Sequence, residues 1–316
     1  MKKVWFVAAA SLAIGIGTAV ADDDPQPAGD GSDATQGGGD GNGSGSADAN
    51  GGGEASATAS AAYTKDTWPT ELVDRPNTLA AGMIQIHVDL FANMSTDNSF
   101  KPFSIAPDIF YGVSEKLTAG ITHGIGICPA GTDNGCAKVY NDIGVDTLFS
   151  LKKDEKMDLA SHVGVDVGAF SPDLILSAHL GVLLKYQIDK IGIFVDPAIG
   201  IGLTQRDAGN KETLAIPVQV AYQVNKNLAP FLRTGLGGVP IGMAGVKTSA
   251  GVNLDVDGAG FGDTYAVPLG IGALYGLSNK LDVGAELDFP ALFGSTLASD
   301  IGTDGRFLFV TVNARL

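Results

Sequence analysis

The chain has 316 residues, of which 45% are hydrophobic and 17% charged, and carries a formal charge of −15. An acid excess of that size gives no sign of the basic surface that nucleic acid needs, and no nucleic-acid partner is expected. Two cysteines are too few for a disulfide scaffold, and beyond the first twenty residues no apolar run reaches the roughly 18 residues that a membrane-spanning helix needs.

The predicted elements begin with MKKVWFVAAASLAIGIGTAVA. Lys2 and Lys3, the apolar run and the small-x-small end at Ala19-Val20-Ala21 read as a secretory signal peptide over 1–21. Residues 22–62 are Gly, Ala, Ser and Asp with almost no large apolar side chain, a composition expected to stay disordered. That linker holds Asp22, Asp23, Asp24, Asp30, Asp33, Asp40, Asp48 and Glu54 and no base, so over half of the net charge belongs to a solvated tail.

From residue 63 the pattern changes to apolar residues alternating with small or polar ones, the period of a β-strand. Twelve strands are predicted, near 82–92, 103–112, 117–127, 142–151, 157–168, 174–186, 191–203, 213–224, 228–237, 264–275, 281–290 and 305–316. Strand boundaries read this way shift by a few residues, so ten or fourteen strands are also compatible with the pattern. Five short turns recur between them, each with a Lys beside an acid or amide: Lys116, Lys156, Lys190, Lys226 and Lys280. The other connections are longer and Gly-rich. Tight turns on one side and long loops on the other fit a transmembrane antiparallel up-and-down β-barrel over 63–316. The competing architecture is a secreted soluble β-protein. Pro107, Pro197, Pro217, Pro230, Pro268 and Pro290, which fall in or beside predicted strands, sit more easily in an open sheet.

Parity assigns one face of each strand to Ile, Leu and Val. Tyr111, Tyr186, Tyr222 and Tyr275 share that face, each four or five residues before a turn lysine, as an interfacial aromatic girdle would. The opposite face carries small residues and the lumen-lining candidates Asp89, Asp108, Asp146, Asp158, Asp166, Lys185, Asp196, Arg233, Asp282, Glu286 and Asp288. An acid-lined water path concentrates cations. Cys128 and Cys136 in CPAGTDNGC are expected to form one local disulfide in an exported protein. His87, His123, His162 and His179 fall inside predicted strands without a nucleophile arrangement around them, and the expectation is no enzyme and no cofactor. His123 alone falls on the aliphatic parity of its strand. Asn253, Asp255 and Asp257, followed by Gly258, match the first half of a calcium loop, but Thr264 stands where the closing acid belongs.

DRPNTLAAGMIQIHVDL (74–90) resembles the lead-in segment of a broad group of Gram-negative outer-membrane barrels, in which Arg-Pro-x-Thr-Leu runs into the first strand. The phrase Pro-x-x-x-Tyr-Gly-aliphatic-Ser-acid/amide-Lys-Leu of that group is matched at Pro107 to Leu117. With a longer gap after Pro268 it is matched again at Tyr275 to Leu281. The last strand, RFLFVTVNARL, is similar to the C-terminal signal of such barrels, with Leu316 in place of the terminal aromatic. The resemblance implies a porin-like or transporter-like barrel, insertion by the barrel-insertion machinery, an outer-membrane lipid surround and an N-terminal linker in the periplasm. The expected function is a passive channel for small solutes with cation preference. The alternative is a structural or adhesive barrel with a closed lumen.

Overall fold

The computed structural model describes residues 63–96, 99–129, 131–134, 136, 138–168, 174–208, 210, 212–236, 252–253, 266–294 and 303–316. Residues 1–62, where a signal peptide and an acidic linker are expected, Asp255, Asp257 and the side chain of Asn253 lie outside the described residues. Among the described residues no helix is long and apolar enough to cross a membrane.

Twelve strands form a single sheet: β1 (Ile84–Asn93), β2 (Phe103–Ser114), β3 (Leu117–Thr122), β4 (Asp142–Lys153), β5 (Met157–Gly168), β6 (Ile175–Ile188), β7 in two pieces (Ile191–Val195 and Ala198–Gly202), β8 (Thr213–Tyr222), β9 (Leu228–Leu236), β10 (Ala266–Gly276), β11 (Leu281–Gly294) and β12 (Phe307–Arg315). Each pairs antiparallel with its neighbours in sequence, and β12 pairs back onto β1 from Arg315↔Gln85 to Phe307↔Asn93. The ring is closed, so no strand presents a bare edge. Tight turns at 115–116, 154–156, 189–190, 223–227 and 277–280 mark one end, and the longer connections mark the other. Val252–Asn253 adds a short pairing to Leu214 and Thr213 at the long-loop end of β8.

The prolines find places in this closed ladder for a stereochemical reason. Proline lacks an N–H, so it fits where the ladder is interrupted. Pro197 lies in the break between the two pieces of β7. Pro268 and Pro290 flank the register shift between β10 and β11, where Val267 pairs with Phe293 but Leu269 with Phe289. Pro107, Pro217 and Pro230 stay inside the ladder opposite Val88, Gly235 and Ala273. In an antiparallel sheet each residue directs its N–H to one neighbour only, so each costs at most one bond.

The wall is apolar outside and polar inside. Ile109, Val145, Leu180, Ile199, Val220, Leu232, Ile271 and Leu287 are exposed, while Asp108, Asp146, Ser177, Gln219, Glu286 and Thr311 are buried. Tyr111, Tyr186, Tyr222 and Tyr275 are all exposed. Each stands opposite the first residue of the adjacent strand: Ile84, Met157, Ile191 and Leu228. They therefore lie at one level near the short-turn end.

Alternation does not mark residues 63–83; Thr64 to Thr67 are exposed, and from Trp68 to Met83 the segment runs inside the ring. Trp68, Leu79, Ala80 and Met83 pack with Phe110, Leu148 and Leu183, and Leu72 and Val73 pack with Phe194, Phe231 and Leu274. These wall residues face inward close to the short turns, so the segment fills that end of the barrel. The wall phrase Tyr-Gly at 111–112 and 275–276 accommodates it. The tyrosine points out, while the glycine leaves room inside: a Cβ at Gly112 would overlap the Ala80 carbonyl, and one at Gly276 would press on Thr70. Gly112 also exchanges backbone hydrogen bonds with the segment, accepting from Gly82 N–H at 2.7 Å and donating to the Met83 carbonyl at 2.8 Å. A cavity of about 70 Å³ remains between segment and wall, lined by Trp68, Arg75, Phe110 and Phe194 among others, with room for a few water molecules.

Candidate functional site

The polar interior falls into three groups of side chains, each spread over adjacent strands by the inward parity. The first joins the inserted segment to β11, β12 and β1. Arg75 Nη2 lies 2.9 Å from Asp282 Oδ1, and Arg315 pairs with the same carboxylate. Asn313 donates to Asp282 Oδ2 at 2.9 Å, and its amide oxygen meets His87 Nδ1 at 2.6 Å. His87 Nε2 meets Asp89 Oδ2 at 2.8 Å, and Thr311 donates to Asp89. The result is one connected chain from Arg75 up to Asp89. Burial lowers the Arg75 guanidinium to about 10, with Arg315 acting in the same direction and Asp282 against it, so Arg75 is charged at neutral pH.

The second group is Arg233 on β9 between two carboxylates of β11. Its Nη2 lies 2.6 Å from Glu286 Oε1 and 2.6 Å from Asp288 Oδ1, and its Nε donates to Glu286 at 2.7 Å. All three side chains are fully buried. The third group occupies β4, β5, β6 and the break in β7. Asp146 Oδ2 lies 2.9 Å from His179 Nε2 and 3.7 Å from His162 Nδ1. His162 Nε2 lies 2.6 Å from Asp196, and His179 Nδ1 lies 3.8 Å from Asp166.

The remaining charged residues hold segments in place. Asp158 accepts from Asn77 N–H at 3.0 Å, and Lys185 Nζ donates to the Arg75 carbonyl at 2.7 Å, so both grip the inserted segment. Asp108 accepts from His123 N–H at 2.8 Å. Thus ten of the eleven sequence-selected charged residues are buried, and the eleventh, Asp166, is half-buried.

Parity reasoning passed over Arg315, Asp142 and Arg75. Arg315 and Asp142 could have been found: Arg315 shares the inward parity of Thr311 and Asn313, and Asp142 shares that of Asp146. Arg75 lies in a segment with no period to read. His123 is a correction of register. β3 ends at Thr122, so His123 is past the strand and strand parity does not apply to it; its Nε2 contacts the Tyr140 hydroxyl at 2.9 Å. Asp142 accepts backbone N–H bonds from Gly124, Ile125 and Gly126 and so shapes the same connection, which the Cys128–Cys136 disulfide also closes.

No family model and no curated protein matches the chain. Among solved structures it is similar to the KdgM porin in complex with disordered oligogalacturonate, at 7% identity and a TM-score of 0.44, over 73% of this chain and 98% of that one. It is similar to Salmonella typhi OmpF in complex with daunomycin, at 15% identity and a TM-score of 0.35, over 70% of this chain and 65% of that one. A third is the outer membrane phospholipase A from Escherichia coli, at 9% identity and a TM-score of 0.39, over 78% of this chain and 98% of that one. The chain's own wall is a closed, antiparallel, twelve-stranded β-barrel.

Proposed function

We propose that the protein is an outer-membrane barrel whose interior passes small cations once residues 63–83 move aside. In this reading the barrel-insertion machinery places it in the membrane, lipid surrounds the Ile/Leu/Val face, and the short turns and residues 22–62 lie in the periplasm. The observation that carries the reading is the charge of the interior. Among the described residues, nine buried carboxyl groups (Asp89, Asp108, Asp142, Asp146, Asp158, Asp196, Asp282, Glu286 and Asp288) face three buried Lys and Arg side chains of the wall, Lys185, Arg233 and Arg315, and outnumber them even with the paired His162 and His179 counted as cations. Arg75 of the inserted segment adds a fourth cation. Displacing the segment removes that cation as well as the obstruction, so the path becomes both wider and more acidic. A low-dielectric wall strengthens the resulting attraction for cations.

The apolar contacts of the segment favour a second reading, a permanently closed structural or adhesive barrel. Withdrawing it would expose Trp68, Leu72, Leu79 and Met83, each worth about 1.5–3 kcal/mol in burial. Gly112→Leu separates the two readings, because a leucine there cannot coexist with Ala80 in its present place. Trp68 is the one tryptophan after the leader and reports on the segment directly. In planar bilayers the wild-type protein should be nearly silent. The Gly112→Leu variant should show red-shifted Trp68 emission and at least tenfold more conductance, with cations favoured over anions. Red-shifted emission from a folded barrel that conducts nothing selects the closed structural reading, and anion preference overturns the cation path.

A further inference from the structure

We propose that Asp146, His162 and His179 bind a divalent transition-metal ion of the zinc class inside the barrel. The inference concerns binding and holds whether or not the barrel conducts. One ligand atom from each residue fits a set within 4.8 Å of one another. Four donors about 2.0–2.1 Å from a tetrahedral zinc lie about 3.3 Å apart. The two separations from Asp146 Oδ2, 2.9 Å to His179 Nε2 and 3.7 Å to His162 Nδ1, bracket that value. The third separation, between the two imidazoles, is at most 4.8 Å, so rotation of the rings would bring all three ligand atoms onto one ion.

The surroundings are those of a metal centre. A metal-bound imidazole ordinarily gives its other ring nitrogen to a carboxylate, which orients the ring and raises its basicity. His162 has that second partner in Asp196, 2.6 Å from its Nε2, and for His179 the Asp166 carboxylate stands 3.8 Å from Nδ1, close enough to close on it with a small rotation. With an ion bound, His162 would keep its proton on the Asp196 side and turn the Nδ1 lone pair to the metal, the ion taking the place of a proton between Nδ1 and Asp146. His162 Nδ1 and Asp146 Oδ1 are buried and have no hydrogen-bond partner among the described residues. Such atoms call for an explanation; a cation supplies one for Nδ1 directly, and for Oδ1 when the Asp146 carboxylate binds through both oxygens.

The wall makes space for these rings. His162 stands opposite Gly181, His179 opposite Gly164, and Asp166 opposite Gly144. A Cβ at any of the three glycines would overlap the facing side chain. The His179 and Asp166 side chains keep 17% and 23% exposure, so the site is reachable from one side. Two imidazoles and a carboxylate suit zinc and its neighbours, whereas magnesium and calcium require all-oxygen shells.

The test uses the full mature chain folded in detergent, with cobalt(II) as the spectroscopic stand-in for zinc. One equivalent of cobalt should give the visible ligand-field absorption of a four-coordinate site. One equivalent of zinc should remove it, and a hundredfold excess of magnesium or calcium should not. His162→Gln and His179→Gln should abolish the signal while heat-modifiable migration on gels shows the barrel still folded. Asp166→Asn, which leaves every ligand in place, should weaken zinc binding about 10- to 100-fold. The proposal fails if folded wild-type protein gives no ligand-field band. It fails too if the band survives both histidine substitutions, as it would were the acidic tail holding the ion, or if magnesium or calcium displaces the cobalt. Should either histidine variant not fold, the wild-type band and the Asp166→Asn shift still decide.

Discussion

Replacing Arg233 by Met is expected to destabilise the folded barrel by roughly 3–5 kcal/mol, measured as the shift of the urea unfolding midpoint in detergent at constant slope. The guanidinium is the cation that Glu286 Oε1 and Asp288 Oδ1 both reach at 2.6 Å, and neither carboxylate is solvent-accessible. Removing it leaves two carboxyl groups side by side in a buried site, where they either repel as anions or must take up protons. The cost is that of stranding the partners, which exceeds the net worth of the intact group. The triple variant Arg233→Met, Glu286→Gln, Asp288→Asn should therefore recover most of the loss. A single variant within about 1 kcal/mol of wild type at high pH, where the carboxyls stay ionised, would mean that water reaches this part of the interior and screens it.

The second large effect concerns the opposite face. Leu180→Arg should cost roughly 2–4 kcal/mol in a bilayer, the range for an arginine on the lipid side near the midplane of a barrel. Leu180 is 60% exposed and sits in the middle of β6, away from both rims, so the long side chain has the greatest distance to reach headgroups. Unfolding in phospholipid vesicles measures it. The same substitution at Leu316, exposed at the chain end beside the short turns, should cost well under 1 kcal/mol. Equal and small effects at both positions would place water against β6.

Much of this was legible in the residues because one physical rule governs both faces. In a closed ring each strand has an inside and an outside, and alternation records which is which. β5, with Asp158, His162 and Asp166 inward against Leu159, Val163 and Val165, reads the same way in sequence and in structure. The inserted segment was not legible, since residues 63–83 adopt no period and their partners are remote in sequence. A trace of it was nevertheless present. Phe110, Leu148, Leu183, Phe194, Phe231 and Leu274 are large apolar residues on the otherwise polar parity, all near short turns. A polar lumen has no use for them, and they imply something apolar to pack against.

The clustering of Asp146, His162, His179 and Asp196 was hidden for a different reason. Parity places each of them inward, but only the cross-strand register brings His162 opposite Gly181 and His179 opposite Gly164. Register depends on turn geometry and on the break at Asp196-Pro197, which no alternation pattern records. The prolines illustrate the same limit: Pro268 and Pro290 look like defects until the register shift between β10 and β11 is known.

Which medium touches each face of the wall is tested most directly by a nitroxide scan along 177–188 in liposomes. Single cysteines in β6, added to a chain whose own pair is joined as a disulfide, report collisions with oxygen, which partitions into lipid, and with a polar nickel chelate, which stays in water. The result expected is a period of two, with high oxygen and low nickel accessibility at 178, 180, 182 and 184 and low accessibility to oxygen at 179, 181 and 183. High nickel accessibility at 180 and 182 would contradict it, because water would then cover the Leu/Val face.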